Sequence, residues 1–292
     1  MHNYILYKIG QFIAFRLPLK IAYKIAIFFS DIHYLFARRD RLIVKQNLKA
    51  IFPEKSDREI RRIRIMMFRN FAKYLVDFFC FSKIDTAYIK RNIIIENLHY
   101  LNEGLSRGRG VITLTAHIGN WELGGIVIAL LGYPFWAVVL PHKEKAVDNF
   151  FNYQRQIKGV KVIPLGRAVR QSINLLKENK IVALVGDRDF TEKGAVVDFF
   201  GKPTLLPEGP AAFSLKTGSV IVPGFMLRNS DDSFTLRFEK PLEPIATGNK
   251  ENDLAEIIAN YKIIIEEYIR KYPDQWYMFK KFWINETQAQ SK

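Results

Sequence analysis

The chain has 292 residues, of which 49% are hydrophobic and 25% are charged. This composition supports a full hydrophobic core and argues against disorder. The formal net charge of +15 favours polyanionic partners, namely nucleic acid, an anionic membrane surface or phosphorylated substrates.

The first forty residues are apolar but are repeatedly interrupted by cations. Lys8, Arg16, Lys20 and Lys24 recur at intervals of four or eight, which predicts a basic side on a helix. No uncharged apolar run reaches 18 residues, and no small-residue cleavage site follows the short runs. Neither a simple spanning helix nor a secretory signal is therefore expected. We predict a helix that lies in or dips into the membrane, with packing on the protein's own core as the alternative.

A strongly basic stretch follows, from Arg38 to Arg69. Within it, Ser56 and Glu59 predict a capped helix start, and this helix should run to about Phe81. Each cation near an anionic leaflet contributes roughly 1 kcal/mol to binding, so the stretch is expected to anchor the protein. A solvated basic face is the alternative. Residues 1–85 are thus predicted to form a helical, membrane-anchoring and basic region, and residues 86–292 an α/β domain.

The single cysteine, Cys80, lies in an apolar run and excludes an intrachain disulfide. It is expected to be a small buried residue, and the lack of disulfides fits the cytosolic side of a membrane. Aromatic residues make up 14% of the chain and favour a membrane surface, because amphipathic rings suit the headgroup layer.

From about residue 110, short β-branched runs alternate with helical segments. Strands are predicted at 111–115, 136–140, 160–163, 181–185, 196–200, 220–227 and 234–238. Helices are predicted at 120–131, 145–158, 169–178, 210–217 and 252–272. This alternation predicts an α/β fold with a mostly parallel central sheet flanked by helices.

The strongest local signal runs from Thr115 to Gly125, where a strand ends, a polar turn follows and a helix begins. His117 lies at the carboxyl end of the strand, where α/β proteins concentrate their ligand chemistry. Glu122 falls in the first helical turn and could hold one imidazole nitrogen as N–H, leaving the other as a base for a substrate hydroxyl. A purely structural pair is equally consistent with this spacing. Zinc is a poor alternative, because the five histidines include no His-x3-His pair.

The segment His-Ile-Gly-Asn-Trp-Glu-Leu-Gly at 117–124 resembles the acyltransferase motif of the lysophospholipid acyltransferase superfamily. More closely, the chain is similar to the bacterial lipid A biosynthesis acyltransferases, the lauroyl and myristoyl transferases. Further segments resemble that family in order along nearly the whole chain: Asn47-Leu48 with Phe52-Pro53, Val162-Ile163-Pro164 with Arg170, Gly186-Asp187-Arg188-Asp189, 197–203, 207–211, 217–223, and Tyr272-Pro273-Asp274-Gln275-Trp276 with Phe282-Trp283. Trp276 and Trp283 are expected to pack the C-terminal helix onto the sheet.

The resemblance implies an O-acyltransferase that moves a fatty acyl chain to a hydroxyl of a saccharide lipid such as a lipid A precursor. The donor would be an acyl carrier protein or coenzyme A thioester, with no cofactor, no metal and no nucleic acid. His117 would be the general base and Glu122 would orient it. The motif positions expected to bind substrate are Asn120, Lys143, Arg170, Asp187, Arg188 and Glu208. The implied location is the cytoplasmic face of a bacterial inner membrane, with peripheral attachment or a single N-terminal anchor.

One position departs from the family's pattern. After the strand at 136–140 we expect a Tyr-Arg-Pro-like element, but Leu140 stands at the arginine position. Lys143 could supply the cation, although an ammonium is a point charge and not a bidentate fork. Other acceptors therefore stay open: a phosphatidylinositol mannoside, a lysophospholipid or another glycolipid.

Two alternatives lie outside acyl transfer. Slow hydrolysis of the acyl donor would need the same pair of side chains. A non-catalytic basic protein that binds membrane or RNA is the other, although the chain has no recognisable aromatic-basic signature or helix-turn-helix pattern.

Overall fold

The computed structural model describes residues 2–191, 194–244 and 246–284. The helices in this part of the chain are α1 (His2–Arg16), α2 (Leu19–Phe36), α3 (Arg38–Ile51), α4 (Asp57–Phe79), α5 (Thr86–Asn92), α6 (His99–Ser106), α7 (Trp121–Leu130), α8 (Lys145–Gln156), α9 (Ala168–Lys177), α10 (Gly209–Thr217) and α11 (Lys250–Lys271). The strands are β1 (Ile93–Glu96), β2 (Val111–Thr115), β3 (Phe135–Val139), β4 (Lys161–Pro164), β5 (Ile181–Val185), β6 (Ala195–Phe199), β7 (Lys202–Leu206), β8 (Val220–Arg228) and β9 (Phe234–Phe238).

Seven of these strands form one sheet in the order β1-β9-β8-β2-β5-β3-β4. Its neighbours pair in parallel except β8 and β9, which are antiparallel, while β6 and β7 form a separate antiparallel ribbon. Alternate residues of the central strands enter different apolar clusters, as Ile112 and Val111 of β2 do, so this part of the sheet has a core on each face. The predicted α/β fold with a mostly parallel sheet is confirmed.

Most predicted elements lie within two residues of their observed bounds. The strands at 111–115 and 234–238 match, and α4 begins after a capping box in which the Glu59 amide donates to the Ser56 hydroxyl at 3.3 Å. Strand β1 was not predicted, because four residues are too short to show a period and its partner β9 lies about 140 residues further along. Strand β7 was not predicted either, and it contains Pro203, a residue that is unfavourable inside a strand.

The N-terminal region forms four helices, with α1, α2 and α3 packed against α4. The single helix expected near the N-terminus is two helices that meet at Pro18, which lacks an N–H and disfavours helical backbone at Leu17. None of the described helices combines the length and apolarity needed to cross a membrane. The division at residue 85 stays a prediction, with α1–α4 before it and the whole sheet after it.

A buried polar cluster joins these helices to the sheet. The Asp77 carboxylate of α4 accepts hydrogen bonds from the Tyr23 hydroxyl of α2, the Arg228 guanidinium of β8 and, at 2.9 Å, the Asn120 amide. All four side chains are at least 90% buried. Charges in such a place persist only when they are paired and hydrogen-bonded, so the cluster fixes α2, α4, β8 and the residue before α7 relative to one another.

The substitution Asp77→Ala should destabilise the fold by about 3–5 kcal/mol, because it removes the nearer and more deeply buried carboxylate that pairs with the Arg228 guanidinium. Urea unfolding in detergent, followed by tryptophan fluorescence, measures this. The matched control is Glu243→Ala, which breaks an ion pair with Arg107 whose side chains are 58% and 43% exposed. The control should lose less than about 1 kcal/mol. Equal losses in the two variants would show that the buried cluster does not hold the helices.

Candidate active site

Two polar side chains meet beyond the carboxyl ends of neighbouring strands. Strands β2 and β5 are parallel, with Thr115 opposite Val185, so the loops that follow them emerge side by side. His117 and Asp187 each lie two residues past these ends, although 70 residues separate them in sequence. The His117 Nδ1 is 2.8 Å from the Asp187 Oδ1. The sheet register thus builds a His–Asp pair.

This pair corrects the predicted one. Glu122, which was expected to hold the imidazole, instead accepts two hydrogen bonds from Arg155 of α8, at 2.8 Å from Nε and 2.6 Å from Nη2. Burial by itself would lower the pKa of Arg155, but the adjacent carboxylate raises it, so this guanidinium stays charged. Asp187, which was predicted to bind substrate, is the residue that holds His117.

The Asp187 carboxylate is fully buried and has two partners. Its Oδ1 meets His117, and its Oδ2 accepts from the Trp276 indole N–H at 2.9 Å. Burial alone would raise the pKa of Asp187, but His117, Arg188 and the indole N–H outweigh that effect and lower it. An ionised Asp187 accepts Nδ1–H, which leaves Nε2 of the imidazole as the proton acceptor.

The segment 275–277 is hydrogen-bonded to the loop that carries His117. The Tyr277 N–H donates to the His117 carbonyl and the Gly119 N–H to the Gln275 carbonyl, each at 2.9 Å. The Gln275 side chain donates to and accepts from the Arg228 backbone at 2.9 Å. Gly119 has φ +62°, and a Cβ there would lie 2.0 Å from the Met226 carbonyl oxygen, so only glycine fits.

A cavity of about 1100 Å³ opens at His117 and runs under α7. Its lining includes His117 and charged side chains, among them Glu122, Arg155, Arg188 and Glu208, and we call this polar part its mouth. Its interior is apolar.

Small residues shape that interior. Thr113, Ala183 and Ala137 stand side by side in register across β2, β5 and β3, and all three line the cavity. Above them, Gly124 and Gly125 of α7 also line it. Three small side chains of the sheet and two glycines of the helix leave a groove between them.

The sequence along nearly the whole chain matches a known family. The sequence pattern of the bacterial lipid A biosynthesis acyltransferases matches residues 2–285 of this chain. The chain belongs to this family. It is an acyltransferase, and an acyl donor and a lipid acceptor are its substrates.

Its relatives carry two kinds of name. A phosphatidylinositol mannoside acyltransferase of Mycolicibacterium smegmatis is 26% identical over 219 residues, or 74% of this chain and 70% of the relative. Another of that name, from Mycobacterium tuberculosis, is 30% identical over 160 residues, or 53% of this chain and 51% of the relative. A lipid A biosynthesis palmitoleoyltransferase of Escherichia coli is 25% identical over 243 residues, or 82% of this chain and 78% of the relative.

The remaining predicted substrate residues of the acyltransferase divide into two groups. Arg188 and Glu208 line the cavity, whereas Lys143 and Arg170 are exposed and are not among its lining residues. Asn120 is 1% exposed, and its side chain caps α7 and donates to Asp77. Substrate binding by Lys143, Arg170 and Asn120 therefore stays a prediction that the cavity lining does not support. The first two lie on outer surfaces, and the fold uses both ends of the Asn120 amide.

Sequence reasoning missed the roles of Arg155, which lines the cavity, and Trp276, which contacts Asp187. Arg155 lies within helix α8 and belongs to no motif. Its position on the same helix face as Phe150, Phe151 and Gln154 was a usable signal, because a buried cation is normally paired with an anion. Trp276 was expected only to pack. It is fully buried and does pack, but it also donates to Asp187. Within the described residues, no group of three or more His, Cys, Asp or Glu side chains could hold a metal ion.

The substitution Trp276→Phe should slow acyl transfer about tenfold at acidic pH, because it removes one hydrogen bond to a charged group. The same loss raises the pKa of Asp187, so the ionised carboxylate that the reaction needs is lost at a higher pH, and the acidic limb of the pH–rate profile moves to higher pH. The matched control is Trp283→Phe, whose buried indole N–H has no hydrogen-bond partner in the described structure. Identical profiles in the two variants would contradict a positioning role for Trp276.

Proposed function

We propose that this acyltransferase moves a fatty acyl chain from an acyl carrier protein or coenzyme A thioester to a hydroxyl of a saccharide lipid such as a lipid A precursor. One observation carries the proposal: His117, which contacts Asp187 at 2.8 Å, lines a mostly apolar cavity of about 1100 Å³. A lipid acyl group requires such a groove, and a hydroxyl nucleophile requires such a base.

The geometry supports direct transfer without an acyl-enzyme intermediate. His117 Nε2 takes the proton of the acceptor hydroxyl while its oxygen attacks the thioester carbonyl carbon. The ionised Asp187 stabilises the imidazolium that forms. The tetrahedral intermediate collapses by cleavage of the C–S bond, and the departing sulfur takes the proton from His117. The products are an ester and a free thiol.

The cations at the mouth suit an anionic substrate group. Arg188 lines the cavity, donates to the Met278 sulfur at 2.9 Å through Nη2, and has a buried Nε with no partner among the described residues. We assign it to an anionic oxygen of substrate, because an unpaired buried donor is costly unless a ligand satisfies it. Glu122, fixed by Arg155, is assigned to the acceptor side of the mouth.

The acceptor has a second candidate. The relatives named phosphatidylinositol mannoside acyltransferases favour a mannoside acceptor, which is also a lipid with sugar hydroxyls. Leu140 stands where the family resemblance leads us to expect arginine, and this bears on the choice of acceptor. Leu140 lines the cavity, whereas Lys143, the nearby cation, does not. An aliphatic side chain there cannot pair with a phosphate.

The surface of α1 and α2 supports membrane association. Large apolar side chains there are between 36% and 80% exposed: Ile5, Leu6, Ile9, Phe12, Ile13, Phe15, Ile21, Phe28, Phe29, Ile32, Leu35 and Phe36. Exposed cations, among them Arg38 and Arg39, follow directly. Apolar residues beside cations suit the headgroup layer, and we place the protein peripherally at the cytoplasmic face of a bacterial inner membrane. Not every cation of the basic stretch is available, since Arg69 pairs with Asp31 at 2.8 Å.

His117→Ala and Asp187→Asn should each lower the transfer rate about 10³-fold, the first by removing the base and the second by disturbing its tautomer. The assay uses detergent-solubilised protein, acyl carrier protein and coenzyme A thioesters, and three acceptors: a lipid A precursor, a phosphatidylinositol mannoside and a lysophospholipid. His99→Ala, on the exposed surface of α6, is the control and should match wild type.

The product pattern discriminates the candidates. Product on the lipid A precursor alone supports the proposal, and product on the mannoside alone moves the protein to the second candidate. Near wild-type turnover by His117→Ala would refute the general-base mechanism.

Ala183→Leu should shift donor preference to a shorter acyl chain, because the larger side chain fills the middle of the groove floor. We expect the rate with the longest accepted chain to fall about tenfold while the shortest is affected least. Competition between thioesters of different lengths measures this. Ala87→Leu, on the exposed face of α5, makes the same change away from the groove and should leave the preference unaltered. An unchanged chain length in Ala183→Leu would place the acyl group elsewhere.

A further inference from the structure

A second cavity, of about 570 Å³, lies between α1, α2 and α4. Its walls are mostly apolar and include Gly10 and Ala14 of α1, Ala26 of α2, and Ala72 and Val76 of α4. Along α2 it extends from Ala22 to His33, which corresponds to about 16 Å at 1.5 Å per residue. Its size is within the range of pockets that bind small ligands.

Aromatic rings separate this cavity from the active site. Phe71 lines the second cavity, whereas Tyr74 and Trp121 line the first. The Phe71 and Tyr74 rings stack at 5.7 Å between centroids, and the Tyr74 and Trp121 rings stack at 4.7 Å. The second cavity therefore is not a branch of the acyl groove.

The cavity opens on the apolar outer face of the molecule. At 100° per residue, Ile25 and Phe29 stand between the cavity side of α2 and its exposed stripe at Ile21, Phe28 and Ile32. On α1, Ile13 likewise lies at the edge of the cavity, because it lines the cavity and is also 36% exposed. An apolar path leads from the surface assigned above to the membrane into the space between the helices.

We propose that this cavity binds one acyl chain of a bilayer phospholipid, an inference that rests on the membrane association proposed above. Protein interiors are close-packed, and an apolar void of this size forfeits dispersion contacts that a hydrocarbon chain would restore. The polar end of the cavity, at Ser30, His33 and Asp40, indicates the direction of the chain. Asp40 is an anion, but Arg38 and Arg39 precede it in the same helix turn and are exposed. An anionic headgroup is held there by the arginines, and the chain ends near Gly10.

The bound lipid has a structural consequence. It joins α1 and α2 to α4, whose Asp77 holds Asn120 at the start of α7. The lipid thus belongs to the support of the active site and is not a substrate.

The test uses vesicles that contain phosphatidylglycerol with a photoreactive diazirine near the end of one acyl chain. Flotation first establishes vesicle binding, and mass spectrometry then maps the cross-links. Adducts are expected on the lining residues of α1 and α4, and equally in His117→Ala, because labelling needs no turnover. Ala72→Trp places an indole in the cavity and should lower the adduct yield about fivefold or more with flotation unchanged. Ile21→Trp adds the same ring to the exposed stripe and should leave both unchanged.

Three outcomes overturn the proposal. They are wild-type protein that does not float, adducts confined to the outer stripe or to the active-site cavity, and equal adduct yields in wild type and Ala72→Trp. Circular dichroism shows whether Ala72→Trp folds. If it does not, Ala26→Leu fills part of the same space with a smaller change and should lower the yield in the same way. Failure of the acyl-transfer assay with intact cavity labelling would affect the proposed function and not this site.

Discussion

The buried Asp187 carboxylate is the interaction on which the active site depends. It accepts from His117 on one oxygen and from Trp276 on the other, so one anion determines the imidazole's tautomer and fixes the C-terminal segment. A carboxylate with no exposure can stay charged only if such donors surround it. Hydrogen bonds therefore connect the loop of His117, the end of β5 and the segment 275–277.

A second buried carboxylate, Asp77, holds distant parts of the fold together by hydrogen bonds, as Asp187 holds His117. It links α2 and α4 to Arg228, whose backbone in turn pairs with the Gln275 side chain. Through Asn120 it also holds the first residue before α7, the helix that carries Glu122. The helices that face outward with apolar residues are thus connected to the active-site loop by buried hydrogen bonds. This connection suits the membrane association proposed above.

The cavity combines two environments that acyl transfer requires at adjacent places. Charged groups at the mouth are held by one another, as Glu122 and Arg155 are, so they keep their geometry without substrate. The groove floor needs small side chains in one row, which the parallel register of Thr113, Ala183 and Ala137 provides. Neither arrangement depends on residues that are close in sequence.

The sequence by itself determined the α/β class, most helices and strands, the family, and His117 at the end of a strand, because periodicity, caps and ordered motifs are local signals. It did not determine the partner of His117, since that depends on which strands are neighbours. Glu122, five residues from His117 in the sequence, was the expected partner of the imidazole. The observed partner is Asp187, which follows β5 and is 70 residues away in the sequence. Asn120 likewise looked available for substrate until Asp77 of a distant helix occupied it. Strand order, register and the packing of distant segments bring such groups together, and only the tertiary structure decides these.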